Sequence, residues 1–316
     1  MASEAKHITN VLAGAAIVFC LGCFFRDYIF INYMLHRPKA RPTFACVVKL
    51  GGSACTNKNE FETFDEISVA AAARQLRHLA QSGSLPLLIH GAGSFGHFQA
   101  REYAVAQGGT LTARLLEGFT RTRASVLKLN SMIVDRLAQA PMAVVGISPG
   151  SFVQTSNRSI VENSACARNF INQIENLAKR GLCPVVHGDA CLDESINCTI
   201  LSGDALFIWF CRVFRPRYAV FLTDVAGVFT RPPTEEGADL LTTIKVNVKG
   251  ELVDVEVATN TRPHDVTGGI KAKLKVACQV ASELGIPVYI VQVGSKAAED
   301  ALKGLRPKLG TTVERV

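Results

Sequence analysis

No repeat period, no paired-cysteine metal motif and no surplus of glycine or proline marks this sequence of 316 residues. Its 25 Gly and 12 Pro follow no fixed spacing, which speaks against collagen-like and solenoid architectures. Charged residues are few, 19% against 48% apolar, so the chain can bury a sizeable core and is not disordered. The length also rules out a small disulfide-stapled scaffold. Ten cysteines sit at irregular spacings. Cys20 and Cys23 make the only close pair, inside an apolar run with no second pair and no neighbouring histidine, so no zinc site is expected. Cys46, Cys183, Cys211 and Cys278 lie in apolar stretches and read as buried free thiols, which favours a reducing compartment. Also missing are the G-x-x-x-x-G-K-[ST] loop, H-E-x-x-H and a Ser-His-Asp order. No two carboxylates look like a general acid and base.

What is present is a positive balance and an unusual start. The net charge of +7 suits an anionic partner. Because the lysines and arginines are scattered, a phosphorylated small molecule fits better than nucleic acid, and no nucleic-acid partner is expected. Residues 1–42 differ from the rest. Ile8 to Phe25 reads ITNVLAGAAIVFCLGCFF, about the minimum for a spanning helix, and Arg37, Lys39 and Arg41 follow. The basic flank predicts an N-terminal apolar helix over 8–25 that anchors a cytosolic body to a membrane. Asn157 and Asn197 head N-x-S/T sequons, which matter only if the body is lumenal.

From residue 43 to 316 short apolar runs end in glycine or acidic residues. ACVVKL precedes Gly51, PLLIH precedes Gly91, PVVH precedes Gly188, YAVFL precedes Thr223-Asp224, and IPVYIV lies near the end. Between them Glu66–Gln81, closed by Gly83, and Asn163–Arg180, closed by Gly181, read as helices. This alternation predicts an α/β fold, a three-layer αβα sandwich around a mainly parallel open sheet, with ligands at the carboxyl ends of the strands. Ile244–Val257, centred on Lys249-Gly250, reads as a hairpin.

Three glycine-rich turns carry the chemistry. In Lys49-Leu50-Gly51-Gly52-Ser53 a lysine ends a strand, and bare amides open into a helix that can seat an anion. Lys58, nine residues on, can reach the same anion. The turn His90-Gly-Ala-Gly-Ser-Phe-Gly-His97 holds three glycines in six residues, a conformational expense that suits backbone meeting ligand, with His97 placed to hydrogen-bond a phosphate. In the third turn, Asp265 to Lys275, lysines stand in the first turns of a helix, against its dipole unless an anion is held there. Apolar positions 270, 274, 277, 281 and 284 form one stripe, beside which Lys273 lies, whereas Lys271 and Lys275 point away. Asp189, Asp204 and Asp224 each adjoin Gly or Thr at a strand end or helix start. Lysines, backbone amides and one histidine suit phosphoryl transfer, which needs charge stabilisation more than covalent chemistry.

The ordered set KLGGS (49–53) with Lys58, HGAGSFGH (90–97), HGD (187–189), SGD (202–204), TD-x-x-G-V (223–228) and TGG-x-x-x-K (267–273) resembles the amino acid kinase superfamily. HGAGSFGH narrows the resemblance to the isopentenyl phosphate kinase family. It covers about residues 44–316 and implies an αβα enzyme, a homodimer as a rule, that moves the γ-phosphoryl of ATP to isopentenyl phosphate. By that resemblance Lys49, Gly51, Gly52, Ser53 and Gly93 hold ATP phosphates, and Lys58 stabilises the transition state. Ala92, His97 and Gly188 contact the phosphorylated substrate. Asp224, Gly269 and Lys273 serve the nucleotide, with Mg2+ bridging its phosphates and no protein metal site implied. Phe98, where the family has proline, and Ala226 in the TD-x-x-G turn depart from the pattern. Phe98 is expected to alter access to the isoprenoid pocket.

Two other readings compete. A kinase of the same superfamily acting on a phosphonate could use the same histidine, whereas an acylamino acid would need carboxylate clamps that the sequence does not place. A catalytically inactive, membrane-tethered binding protein would have no need of Lys49, Lys58, His97 and Lys273 together.

Overall fold

The apolar runs pair as strands in the computed structural model, which describes residues 43–57, 59–82, 85–257 and 269–316. In chain order the strands are β1 (Cys46–Leu50), β2 (Pro86–His90), β3 (Val144–Ile147), β4 (Thr155–Ser156), β5 (Ser159–Ile160), β6 (Cys183–His187) and β7 (Asp189–Asp193). There follow β8 (Asn197–Leu201), β9 (Tyr218–Thr223), β10 (Val228–Phe229), β11 (Leu240–Val246), β12 (Leu252–Val257), β13 (Val288–Gln292) and β14 (Thr311–Arg315). The main sheet runs β10-β11-β14-β13-β9-β1-β2-β6-β3, with β12 on β11. From β13 to β3 every pair is parallel. The five runs singled out in the sequence are its five central strands, β13, β9, β1, β2 and β6. They are buried on both faces, which is why they read as unbroken apolar stretches rather than alternating ones.

Helices cover both faces. On one side lie α1 (Glu66–Gln81), α3 (Ala113–Gln139) and α7 (Lys296–Leu302), against Cys46, Val48 and Leu50 of β1. With α2 (Gly93–Glu102), whose Phe95 joins this core, they form one layer. On the other side α4 (Ala165–Ala178), α5 (Gly203–Phe214) and α6 (Gly269–Leu284) pack against Val47. The fold is the expected αβα sandwich. Strand pleating puts Lys49 on the α5 side and His90 on the α3 side. The caps also follow the sequence: Asp65, Thr112, Ser164 and Ser202 each accept an amide at the head of α1, α3, α4 and α5.

A smaller sheet, β5-β4-β7-β8, stands beside the carboxyl end of β6. Asp193 knits it together, accepting the amides of Asn157, Arg158, Ser195 and Ile196 and the Thr155 hydroxyl. Burial alone would raise this carboxyl, yet those bonds hold it at about 2. The expected hairpin is β11 and β12, turned at Gly250 with φ +79°. Cys46, Cys183 and Cys211 are buried free thiols as expected, while Cys278 is half-buried. The segment 8–25 lies outside the described residues, as does Lys58. Among the described residues no helix is long and apolar enough to cross a membrane.

Candidate active site

Three strands, β1, β2 and β6, end together, and the turns that leave them line a cavity of about 740 Å³. Lys49, the penultimate residue of β1, is 6% exposed and points toward α5. Its Nζ meets Asp204 Oδ1 at 2.7 Å and stands 5.4 Å from the centre of the Phe221 ring. The carboxylate and the aromatic face together fix the position of the ammonium group at the end of a buried stem.

The first two glycine turns touch. A methyl group on Gly52 would sit 2.7 Å from the Gly93 nitrogen, so only glycine lets the two backbones approach. Gly93 itself has φ +51°, and its Cβ would strike Thr56 Oγ1 at 2.1 Å. Gly52 and Ser53 begin a short 3-10 helix and Gly93 begins α2. Helix-opening amides have no acceptor in their own helix, so all three are available to an anion. Lys273 of α6 reaches the same place: a Cβ on Gly51 would lie 3.7 Å from its Cε. Lys275 is exposed, as expected, and Lys271 falls among the residues whose side chains are not described.

At the other end, one turn into α2, His97 faces the cavity beside Arg101. Partial burial, with the positive charges of Arg101 and Lys49, pushes its pKa below the ordinary 6.5. The lining also includes the apolar Ala100, Val126, Ala106 and Ile200, interspersed with Arg101, Gln107 and Thr122. Cationic and apolar side chains therefore line the same cavity.

Beneath the floor, His90 and His187 stack at 5.4 Å on adjacent strands. His90 Nδ1–H donates to the Gly91 carbonyl, and Nε2 accepts from Asn130, a neutral tautomer with both nitrogens used. Burial, then the neighbouring His187, drives its pKa down to about 3. These histidines brace the two strand ends.

Of the residues picked from the sequence, Lys49, Gly51, Gly52, Ser53, Ala92, Gly93, His97, Gly188 and Lys273 line the cavity together. Gly188 contributes room more than a donor, because its amide already bonds the His90 carbonyl at 3.2 Å. Asp224 sits exposed after β9 and Gly269 starts α6, and neither is among the lining residues. Phe98 does not line the cavity. It faces a separate cleft on the other side of α2, edge-on to Phe61 at 5.9 Å. In the turn after β9 the Thr223 hydroxyl donates to the Val225 carbonyl at 2.6 Å, and nothing in the structure explains Ala226. Asp204 was noticed in the sequence but given no role; the serine cap and first-turn position in SGD were its signal.

A family model described as the amino acid kinase family matches residues 45–292. The chain belongs to that family. Within it, the chain is 35% identical to isopentenyl phosphate kinase of Arabidopsis thaliana, over 82% of this chain and 90% of the plant protein. It is 32% identical to isopentenyl phosphate kinase of Methanothermobacter thermautotrophicus, over 78% and 90%. A solved amino acid kinase fold described as isopentenyl phosphate kinase superposes with a TM-score of 0.67 at 27% identity, covering 85% of this chain and 99% of that one.

Proposed function

We propose that this amino acid kinase transfers the γ-phosphoryl group of ATP to isopentenyl phosphate, giving isopentenyl diphosphate and ADP. The observation that carries this reading is a single cavity lined by Lys49, Lys273 and the hydrogen-bonding His97 and also by the apolar Ala100, Val126 and Ile200. The lysines, glycine amides and histidine suit phosphates on both substrates, and the apolar side chains suit a short hydrocarbon tail. The likeness to isopentenyl phosphate kinases supports it.

In this mechanism the glycine turns and Lys273 cradle the β- and γ-phosphates, and His97 hydrogen-bonds the acceptor. The acceptor's phosphate oxygen attacks the γ-phosphorus as the bond to the β-phosphate breaks. Lys49, oriented by Asp204, and Lys58 neutralise the charge on the transferring group, the main demand of the reaction. Among the described residues no group of three metal-ligating side chains exists. Magnesium would accompany the nucleotide and add charge neutralisation at its phosphates. The test is an ADP-release assay against isopentenyl phosphate, dimethylallyl phosphate, fosfomycin and N-acetylglutamate. Preference for the isoprenoid monophosphates supports the reading, and preference for either of the others replaces it.

Two further parts rest on the sequence. The run 8–25 anchors the body to a membrane, so removal of residues 1–40 releases the protein without loss of kinase activity. Glycosylation at Asn157 or Asn197 would instead place the body in a lumen. The chain also pairs as a homodimer. The open edge at β3 and exposed Leu116 and Leu127 on α3 support that, and sedimentation at micromolar concentration checks it.

A further inference from the structure

The acceptor wall contains a carboxylate that the mechanism leaves unused. Asp189 begins β7, lines the cavity next to Gly188, and has a side chain with no exposed surface. A bare negative charge there would oppose a phosphate dianion beside His97. Arg123 of α3 answers it, with Nε 3.3 Å from Asp189 Oδ1. The arginine's Nη2 also donates to Ser148 Oγ at 2.8 Å and Ser151 Oγ at 2.9 Å. Ser148 in turn donates to Asp189 Oδ2 at 2.5 Å, and the Gly150 amide donates to the same oxygen at 3.1 Å. Gly150 has no space for a side chain, since a Cβ would lie 2.6 Å from that oxygen.

The two groups are not joined by a directed bond: Asp189 Oδ1 and Arg123 Nε are both buried without a hydrogen-bond partner. Their interaction is one of charge. Coulomb forces decay slowly in a poorly polarisable wall, so an unanswered Asp189 would act on a dianion without touching it. Ser148 and the Gly150 amide both donate to Oδ2 and could donate in the same way to the oxygen of a neutral asparagine at 189, so these bonds alone do not require Arg123 to be charged.

We propose that Arg123 is a positioning residue for the acceptor: it cancels the charge of Asp189 and so keeps the acceptor end of the cavity hospitable to a phosphate dianion. This rests on the assignment of the acceptor site above. Arg123 does not touch the substrate; it acts through Asp189.

The experiment measures KM for isopentenyl phosphate and for ATP in the full-length protein and in R123K, R123M, D189N and R123M/D189N. KM does not depend on the fraction of molecules folded. R123M should raise the acceptor KM about tenfold or more while ATP KM stays within about twofold. R123K, which keeps the charge, should stay within about threefold, and R123M/D189N should return to that range. An equal rise for both substrates, or a double variant as impaired as R123M, overturns the proposal. If R123M does not fold, the comparison of R123M/D189N with D189N decides: near-equal acceptor KM supports the proposal, and a further tenfold rise overturns it. An active wild type with no Arg123 effect strikes this proposal alone. A wild type inert toward isopentenyl phosphate strikes the acceptor assignment, and this proposal with it.

Discussion

Lys49 Nζ and Asp204 Oδ1 meet at 2.7 Å although 155 residues separate them. The strand fixes the lysine on the α5 side of the sheet, and the Ser202 cap fixes the first turn of α5 that carries the aspartate. The ammonium is thereby aimed before any substrate arrives. Preorganisation of that kind is what electrostatic catalysis requires.

Asp204→Ala should therefore disable Lys49 without removing it. A hydrogen bond between charged groups contributes about 1.5–3 kcal/mol, so kcat should fall at least about tenfold. Asp204→Asn, which keeps an acceptor oxygen, should retain more activity than Asp204→Ala. Steady-state kinetics check this; equal activity in wild type and Asp204→Ala would remove Asp204 from the machinery.

The Lys49–Asp204 pair also shows where sequence reading stops. KLGGS, HGAGSFGH and TGG-x-x-x-K announce themselves because glycines at strand ends have few other uses. The central strands were legible because unbroken apolar runs mark strands buried on both faces. The partnership of Asp204 with Lys49 was not legible, since it exists only after β1 and α5 pack. The same holds for Phe98: its position in the motif suggested the pocket, but its side of α2 sends it to another cleft. The helix Ala113–Gln139 went unread because exposed Leu116 and Leu127 blur its apolar stripe.

The two remaining lysines should separate in kinetics. Lys58→Ala should lower kcat far more than it raises KM for ATP, because its proposed contact forms with the transferring group. Lys273→Ala, beside Gly51, should weaken ATP binding already in the ground state. Nucleotide titration of both variants distinguishes the roles, and the reverse pattern would exchange them.

His97 predicts a pH dependence for the acceptor. In the free protein its pKa lies below 6.5, so the ring is largely neutral at pH 7. A phosphate dianion favours the protonated ring, so acceptor affinity should strengthen as pH falls from 7 toward that pKa. It should weaken again once the phosphate itself takes a proton. In His97→Ala the strengthening should vanish, acceptor affinity should fall at least about tenfold and ATP affinity should hold, while His97→Gln, which keeps a neutral donor, should recover part of the loss. Equal weakening for both ligands would make His97 a brace for the turn.

Stability should respond to acid through His90. Unfolded, this ring binds a proton near 6.5; folded, it resists down to about 3. Its contribution is therefore complete above pH 6.5 and is lost as pH falls through that window, on the order of 5 kcal/mol in all. His187, also pushed down by burial, acts in the same direction. Melting temperatures recorded from pH 7.5 to 4.5 should decline from about 6.5 downward, and His90→Gln should flatten the slope. A flat profile in the wild type would mean that the pair is protonated in the fold.

Phosphorus NMR of the full-length protein with ATP, magnesium and isopentenyl phosphate tests the central claim most directly. The monophosphate resonance should disappear, and a coupled diphosphate pair distinct from ADP should grow in step with ADP itself. Conversion of ATP to ADP and inorganic phosphate with the monophosphate resonance unchanged, or no turnover at all, would contradict it.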